Sequence, residues 1–235
     1  MRQTGTESRS SAEQATRLTF ALPKGRILKQ ALPLLARAGI DLRVVFADKG
    51  DRRLLFELPG GFRALLVKPG DVPTYVEYGI ADIGIAGRDT LAEDERDLYE
   101  PLDLGIGACR LVVAEPRGRP TPLRRGAHIR VATKYPRLAL RYYRSRGIHA
   151  EIIPLLGSVE LGPITGLSDH IVDLVESGET LRQNNLTEVV TILHVTSRLI
   201  VHPASLKLKQ DAIGRTISAL REALALREGM SATTP

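Results

Sequence analysis

The sequence predicts an α/β fold of two domains, one inserted into the other. Short apolar runs alternate with amphipathic stretches along most of the chain, which is typical of strands and helices that follow one another. Two long apolar runs, near 104–114 and 189–201, enclose a compact middle section. This arrangement predicts a two-strand hinge and a cleft between the domains, and domain interfaces are favoured positions for ligands.

The first part of the chain begins with a buried strand and a helix. Leu18–Leu22 is apolar, and Pro23-Lys24-Gly25-Arg26 turns it into a helix that Gly39 ends. A strand, a basic glycine turn and a helix form a plausible anion-binding corner, although solvated turn residues would look the same. Further strands are predicted at 42–46, 53–58, 62–67 and 83–87, with a helix at 72–78. Asp71 is the expected N-cap of that helix, and Asp89 that of the next one.

The second part continues the alternation. The segment 117–126 is rich in Pro, Arg and Gly and is predicted to be a surface loop. A strand at 129–133, a helix at 136–145, a strand at 150–154, a β-rich run at 188–201 and a helix at 206–226 follow. The polar ends, 1–16 and 229–235, are expected to be disordered tails. The first domain therefore takes 17–108 and 199–228, and the second takes 109–198.

Composition excludes several classes of protein. The 235 residues contain 43% hydrophobic residues, enough for a substantial core, but no run approaches the length of a membrane span. The polar N-terminal segment lacks the apolar core of a signal peptide, and a single cysteine suits a reducing compartment, so a cytoplasmic location is expected. The net charge of +6 suggests polyanionic partners. With no tryptophan and no stacking motif, phosphorylated small molecules are favoured over nucleic acid.

Common nucleotide and metal motifs are absent from the sequence. There is no Walker A sequence, and the five histidines show no metal-ligand spacing. We therefore expect no metal site made by the protein alone.

The stretch from Gly157 to Leu181 has the pattern of a ligand-binding turn. A loop with glycines and a proline precedes apolar residues at helical spacing, so a helix is predicted at 167–178, closed by Gly178. Thr165 and Ser168 are candidates to cap its start, where free N–H groups attract phosphate. Nearby carboxylates suit the hydroxyls of a sugar. An ordinary capped helix after an ordinary loop would show the same residues.

A second pattern overlaps this stretch. Residues 172–180 resemble the acidic loop, with a later Gly and Thr, that binds phosphoribosyl pyrophosphate (PRPP) in the common phosphoribosyltransferases. That loop follows a strand, whereas the sequence predicts that these acidic residues lie inside a helix. The resemblance is therefore set aside as coincidental.

The whole stretch resembles the signature of the ATP phosphoribosyltransferase family, which catalyses the first step of histidine biosynthesis. The matching positions are Glu160, Gly166, Ser168, Ile171, Asp173, Leu174, Ser177, Gly178, Thr180 and Leu181. Other segments also match, among them 22–26, 52–56, 71–77, 81–89, 131–136 and 197–200. The similarity covers about 18–226, and the absence of a C-terminal regulatory domain indicates the short form of the family. Its fold is similar to that of type II periplasmic binding proteins.

The resemblance implies a reaction and a set of residues. N1 of ATP would attack C1′ of PRPP and release pyrophosphate, with Mg²⁺ bound together with the substrates. The implied cations on the pyrophosphate are Arg52 and Lys68, and Lys68 stands where the family usually has arginine. The other implied substrate-binding residues are Lys24, Gly25 and Arg26 for phosphate oxygens, Gly87 and Asp89 for ATP, and Glu160, Thr165, Gly166, Leu167, Ser168 and Asp169 for the 5-phosphate and ribose. Gly162 replaces a usual alanine, which we expect to be a mild change.

The resemblance also implies partners. Short-form enzymes need a separate regulatory subunit that resembles histidyl-tRNA synthetase, and self-association is expected. No nucleic acid or membrane partner is expected. Two alternatives remain: a solute-binding module with the same two-domain layout, and a basic protein that binds nucleic acid with a steep salt dependence.

Overall fold

The computed structural model describes residues 17–47 and 51–231 of the chain, with side chains described as far as residue 227. The tail predicted at 1–16 lies outside the described residues, as do 232–235. The last helix ends at Ser231, so residues 229–231, which the sequence assigned to a tail, are helical.

The described elements alternate as the sequence predicts. The strands are β1 (Leu18–Pro23), β2 (Leu55–Leu58), β3 (Phe62–Val67), β4 (Ile83–Gly87), β5 (Tyr99–Asp103), β6 (Cys109–Pro116), β7 (His128–Thr133), β8 (His149–Pro154), β9 (His170–Val175), β10 (Leu186–Val195) and β11 (Ser197–Val201). The α-helices are α1 (Arg26–Arg37), α2 (Val72–Glu77), α3 (Arg88–Asp94), α4 (Pro136–Ser145), α5 (Leu161–Ile164), α6 (Glu179–Gln183), α7 (Pro203–Leu208) and α8 (Gln210–Ser231).

Contacts divide the described chain into two units, each with its own sheet. Unit 1 comprises 17–47, 51–88, 96–107 and 196–231, and unit 2 comprises 89–95 and 108–195. The sequence placed its boundaries at 108/109 and 198/199. The contacts instead group residues 196–198 with unit 1, because Ser197 already pairs with Gly87 of β4. They also group 89–95, most of helix α3, with unit 2.

Unit 1 is built on a sheet of six strands in the order β2-β3-β1-β4-β11-β5. Strand β1 is parallel to both β3 and β4, whereas β2 and β11 are antiparallel to their neighbours. One face of β4 presents Ile83 and Ile85 to a core that includes residues of α1 and α8. The opposite face presents Gly84, where an added Cβ would lie 2.8 Å from both Val72 and Val76. Glycine therefore lets α2 pack directly on the sheet.

Unit 2 is built on a sheet of five strands in the order β10-β6-β9-β7-β8. Strand β7 is parallel to β8 and β9, and β6 is antiparallel to β9 and β10. Val172 of β9 belongs to the core cluster that includes Tyr143 of α4, whereas Ile171 and Val175 belong to a second cluster with Leu181 of α6. The sheet is thus buried on both faces, as parallel strands usually are.

Several predicted elements are corrected by the structure. The run at 42–46 is a 3-10 helix, Arg43–Phe46, and not a strand. The β-rich run at 188–201 is two strands, β10 and β11, that belong to different sheets. Strand β5 was not predicted, and the run at 104–114 becomes a strand only at Cys109. Asp71 occupies the N-cap of α2, but its side chain makes no capping hydrogen bond.

The helix predicted at 167–178 is wrong. Its centre is strand β9, His170–Val175, and Gly178 begins the next helix instead of closing one. A search of the described helices finds none with the length and apolar character that crossing a membrane requires.

Candidate functional site

Two predicted cations of unit 1 follow the carboxyl ends of adjacent parallel strands. Pro23, the last residue of β1, pairs with Val67, the last residue of β3. Lys24 and Lys68 come next, and the Lys24 N–H donates to the Val67 carbonyl at 2.8 Å. Both lysines are exposed. Ligands of open α/β sheets bind beyond the carboxyl ends of the strands, so this edge is the candidate site of unit 1.

The turn after β1 has the geometry that the sequence predicts. Gly25 adopts φ 91°, ψ −140°, a conformation that is accessible essentially to glycine, and it is the N-cap residue of α1. Arg26 is the first residue of that helix and is exposed. The turn therefore places two basic side chains within three residues at the carboxyl edge of β1.

Arg52 lies near the same edge. Strand β2 runs antiparallel to β3, with Leu55 opposite Leu65, and the Leu54 carbonyl accepts a hydrogen bond from Leu66 at 2.7 Å. Residues just before β2 therefore stand beside the carboxyl end of β3. Arg52 is exposed, and within 17–47 and 51–227 neither it nor Lys24 nor Lys68 pairs with a carboxylate.

Gly87 and Asp89 differ in surroundings although they are two residues apart. Gly87 ends β4, beside β1, at the edge just described. The Asp89 side chain is buried in unit 2, where its carboxylate accepts a hydrogen bond from the Tyr135 hydroxyl at 2.8 Å. Burial, followed by the Asp89 charge, raises the pKa of Tyr135. The predicted capping role of Asp89 is wrong, because this residue lies inside the first turn of α3 and holds that helix to unit 2.

The turn at 165–169 stands at the amino end of β9, and its side chains have structural partners. Thr165 follows the short helix α5, and its hydroxyl donates to the Leu161 carbonyl at 2.8 Å. The Asp169 carboxylate accepts hydrogen bonds from both the backbone and the guanidinium of Arg130, which holds the pKa of Asp169 below its ordinary value. Arg130 also donates to the Gly166 carbonyl at 2.9 Å. No helix begins here, so the predicted capping by Thr165 and Ser168 is wrong.

Ser168 is packed into the unit and is only 3% exposed. Among the described residues its hydroxyl finds no hydrogen-bond partner. An alanine Cβ at Gly162 would lie 2.5 Å from that hydroxyl and 2.8 Å from the Ala132 Cβ. The neighbours of residue 162 therefore leave no room for an alanine side chain in this chain, which does not support the expectation of a mild change. Leu167, between Gly166 and Ser168, is exposed.

Glu160 belongs to a different part of the loop, before α5. Its charge, after the larger effect of burial, raises the pKa of Asp173 in β9, and Lys134 opposes this effect. Lys134 follows the carboxyl end of β7, and Asp173 lies two residues before the carboxyl end of β9. Glu160 and Lys134 thus both act electrostatically on a carboxylate near the carboxyl ends of two adjacent parallel strands.

The loop at 176–180 is the segment whose resemblance to a PRPP loop the sequence interpretation set aside. It follows the carboxyl end of β9 and enters α6 through Gly178, which adopts the left-handed conformation (φ 81°). Glu176, Ser177 and Thr180 are exposed. This strand-loop-helix order is the one that the PRPP loop of the common phosphoribosyltransferases requires. The signal was present in the β-branched residues at 171, 172 and 175, which favour a strand.

Metal binding was expected to depend on the substrates. Among the described residues, no group of three or more His, Cys, Asp or Glu side chains is arranged to hold a metal ion.

Comparison with known proteins was made for sequence and for structure. The model of the HisG family, described as ATP phosphoribosyltransferase, matches residues 68–222. A protein of Sorangium cellulosum named ATP phosphoribosyltransferase is 53% identical over 209 residues, which covers 88% of this chain and 96% of that protein. The solved ATP phosphoribosyl transferase (HisG:HisZ) complex from Thermotoga maritima contains a chain that is 38% identical, with a TM-score of 0.76, covering 88% of this chain and 98% of that one.

A more distant structural neighbour reports on the fold alone. The substrate binding protein of an amino acid ABC transporter is 11% identical with a TM-score of 0.52, over 88% of this chain and 93% of that chain. The chain therefore has the fold of the type II periplasmic binding proteins, as the sequence predicted.

Proposed function

Because the chain belongs to the ATP phosphoribosyltransferase family, we propose that it transfers the phosphoribosyl group of PRPP to N1 of ATP, the first step of histidine biosynthesis. The N1–C1′ bond forms as the bond from C1′ to the pyrophosphate oxygen breaks. The products are N1-(5-phosphoribosyl)-ATP and pyrophosphate. No covalent enzyme intermediate is needed, so the protein acts by positioning the substrates and by stabilising charge.

The cations of unit 1 are assigned to the phosphate groups. As pyrophosphate leaves, negative charge grows on its oxygens, and fixed cations lower the energy of that state. Lys24 and Lys68 stand at the ends of adjacent parallel strands, and Arg52 precedes the strand that pairs with β3. We assign Arg52 and Lys68 to the leaving pyrophosphate, and Lys24 with Arg26 to further phosphate oxygens.

The loop at 176–180 of unit 2 is assigned to the 5-phosphate of PRPP. This assignment replaces the turn at 165–169, whose acid and carbonyl groups are already bonded to Arg130. Glu160 and Asp173, whose charges interact, are assigned to the ribose hydroxyls. A carboxylate that accepts hydrogen bonds from two ribose hydroxyls offsets the cost of its own burial.

Magnesium is proposed to arrive bound to the substrates. When bound, the ion would neutralise phosphate charge and polarise the leaving pyrophosphate. Glu160 and Asp173, both half-buried, are carboxylates of unit 2 that suit an outer contact with such an ion, because oxygen ligands are the ones Mg²⁺ prefers.

A regulatory subunit is the proposed partner. The solved relative from Thermotoga maritima is a HisG:HisZ complex, and its HisG-like chain is spanned almost completely by this one. We therefore propose that this chain also assembles with a subunit resembling histidyl-tRNA synthetase, and that it associates with copies of itself. A cytoplasmic location is proposed from the single cysteine, which suits a reducing compartment.

The observation that carries the proposal is the 53% identity to a named ATP phosphoribosyltransferase over nearly its whole length. The test is product formation by the purified chain with ATP, PRPP and Mg²⁺, in the presence and absence of the candidate partner subunit. Phosphoribosyl-ATP is expected, and its absence under both conditions would refute the activity. The solute-binding alternative rests on likeness of fold alone, and titration with amino acids provides its test.

The role of Arg52 is tested in the same assay. Arg52→Ala is expected to lower kcat roughly a hundredfold, the size of effect seen when one charge-stabilising donor is removed. The matched control is Arg221→Ala, which removes an exposed arginine from α8 and should leave kcat unchanged. Equal turnover in the Arg52 variant and the wild type would remove our assignment for this residue while leaving the overall reaction intact.

A further inference from the structure

Arg88 completes a row of cations at the carboxyl edge of unit 1. Ala21 of β1 pairs with Gly84 of β4, so three residues further along, Lys24 stands level with Gly87 and Arg88 comes next. On the other side of β1, Lys24 stands level with Lys68. Each of three adjacent parallel strands, β3, β1 and β4, is thus followed within one or two residues by a basic side chain. We call Lys68, Lys24 and Arg88 the cationic row.

The cationic row lacks counter-charges from the part of the chain that the structure describes. Arg88 is exposed, and no described carboxylate pairs with it, with Lys24 or with Lys68. Other arginines of unit 1, such as Arg17, Arg63 and Arg198, do pair with carboxylates. Lys24 and Lys68 follow neighbouring strands, which lie about 4.8 Å apart in a sheet, so their like charges repel one another unless an anion joins them.

The backbone at Arg88 is fixed from outside its own strand. The Arg88 N–H donates to the Thr196 carbonyl at 3.0 Å, directly after the point where Gly87 pairs with Ser197 of β11. A residue whose backbone is already fixed loses less freedom when it binds an anion, which favours affinity.

The chemistry of the cationic row assigns a particular task to Arg88. Lysine is a compact point charge, whereas arginine offers a planar fork that holds two phosphate oxygens at once. Position 68 of this chain carries lysine, so the end of β3 offers a point charge and no fork. We propose that Arg88 binds the pyrophosphate group of PRPP through its guanidinium fork and supplies the two-point contact that Lys68 does not make. This assignment rests on the proposed function.

Binding of inorganic pyrophosphate, in the presence of Mg²⁺, tests the assignment by calorimetry on the full chain. Arg88→Ala should weaken pyrophosphate binding at least about tenfold, because it removes hydrogen bonds between charged groups. Arg88→Lys should recover only part of this loss. In the Arg88→Lys background, Lys68→Arg should restore affinity, since it supplies a fork at the end of β3, on the other side of β1. Arg221→Ala removes the same charge elsewhere in unit 1 and should change affinity less than about twofold.

Each outcome decides one question. If Arg88→Ala binds pyrophosphate as tightly as the wild type, or if Arg221→Ala weakens binding equally, the assignment of Arg88 is refuted. If Lys68→Arg does not rescue Arg88→Lys, the exchange of forks between the two strands is refuted. Phosphoribosyl-ATP formation by the wild type is measured alongside, so that failure of the proposed function is recognised separately. Thermal unfolding of each variant shows whether it folds. If Arg88→Ala does not fold, Arg88→Lys and its double variant with Lys68→Arg, which both keep a charge at residue 88, still test the assignment.

Discussion

The two ends of strand β9 carry similar residues and differ in what those residues do. At the amino end, polar groups of the turn at 165–169 are engaged within the protein. Asp169 and the Gly166 carbonyl accept hydrogen bonds from Arg130, and Ser168 is buried. At the carboxyl end, the loop at 176–180 leaves Ser177 and Thr180 exposed. Both segments contain glycine, hydroxyl and acidic residues, so amino-acid composition alone does not show which of them is available to a ligand.

The difference teaches that the position of a loop on the sheet decides its use. Strand β9 is parallel to β7, so its carboxyl end lies beside Thr133, the last residue of β7. Loops that follow parallel strands collect at one edge, where they form ligand sites together, and loops that precede the strands mainly serve stability. Predictions that exchange or remove groups at the two ends test this comparison directly.

Thr180→Ala removes a hydroxyl from the carboxyl end and has the largest expected effect. The KM for PRPP should rise roughly ten- to hundredfold, because a lost hydrogen bond to a charged phosphate costs about 1.5–3 kcal/mol. Steady-state kinetics with varied PRPP and saturating ATP provides the measurement. Thr165→Ala is the matched control at the amino end, where the hydroxyl donates to Leu161 and the KM should stay within about twofold. The reverse pattern would place the 5-phosphate at the amino end.

Gly162→Ala should lower the free energy of unfolding by about 1–3 kcal/mol, because a side chain is forced into a filled space. The new Cβ would meet the Ser168 hydroxyl at 2.5 Å and the Ala132 Cβ at 2.8 Å. Chemical denaturation of each variant gives the stability. Adding Ser168→Ala should recover part of the loss, since one of the two close contacts is removed. A Gly162→Ala variant as stable as the wild type would show that the expectation of a mild change was right and our steric argument was wrong.

Asp169→Asn tests the ion pair with Arg130 at the amino end. The change removes the charge that Arg130 stabilises, and the melting temperature should fall by about 2 °C, because partly exposed pairs contribute little. The kcat/KM for PRPP, measured on the folded fraction, should change less than about threefold. A large loss of PRPP affinity with unchanged stability would instead make Asp169 a substrate ligand, as the sequence interpretation assigned.

Much of the fold was predictable because its strands are buried on both faces. The strand at 62–67 and the helix at 136–145 were predicted with the observed bounds. The error at β9 has the same physical origin: a continuous apolar run satisfies helical spacing as well as strand spacing. Ile171 and Val172 pack on opposite faces of the sheet. Adjacent side chains point to opposite faces in a strand but not in a helix. The shortness of the run, six residues, was the available signal.

The candidate site was predictable only in part, because the pairing register of the strands cannot be determined from a local sequence pattern. The sequence, through the family resemblance, singled out Lys24, Arg52 and Lys68. It did not single out Arg88, because the alignment of β1 with β3 and β4 depends on pairing between distant segments. It also assigned Asp89 to ATP, whereas the side chain is buried against Tyr135. A hydrogen bond between residues so distant in sequence can be identified only from the folded structure.

Asp173→Asn at the carboxyl end has the smallest expected effect on stability and a defined dependence on pH. Burial raises the pKa of Asp173 above its ordinary value of 3.8, so the folded protein holds this proton more tightly than the unfolded chain. Its contribution to stability is therefore present below pH 3.8 and is lost as the pH rises through the folded pKa. Asparagine removes that loss, so the variant should gain stability over the wild type as the pH rises and show no gain at the acidic limit. The KM for PRPP should nevertheless rise about tenfold if the carboxylate binds ribose. A variant that is less stable than the wild type at neutral pH, in urea titrations at a series of pH values, would contradict the pH argument, and an unchanged KM for PRPP would contradict the ribose assignment.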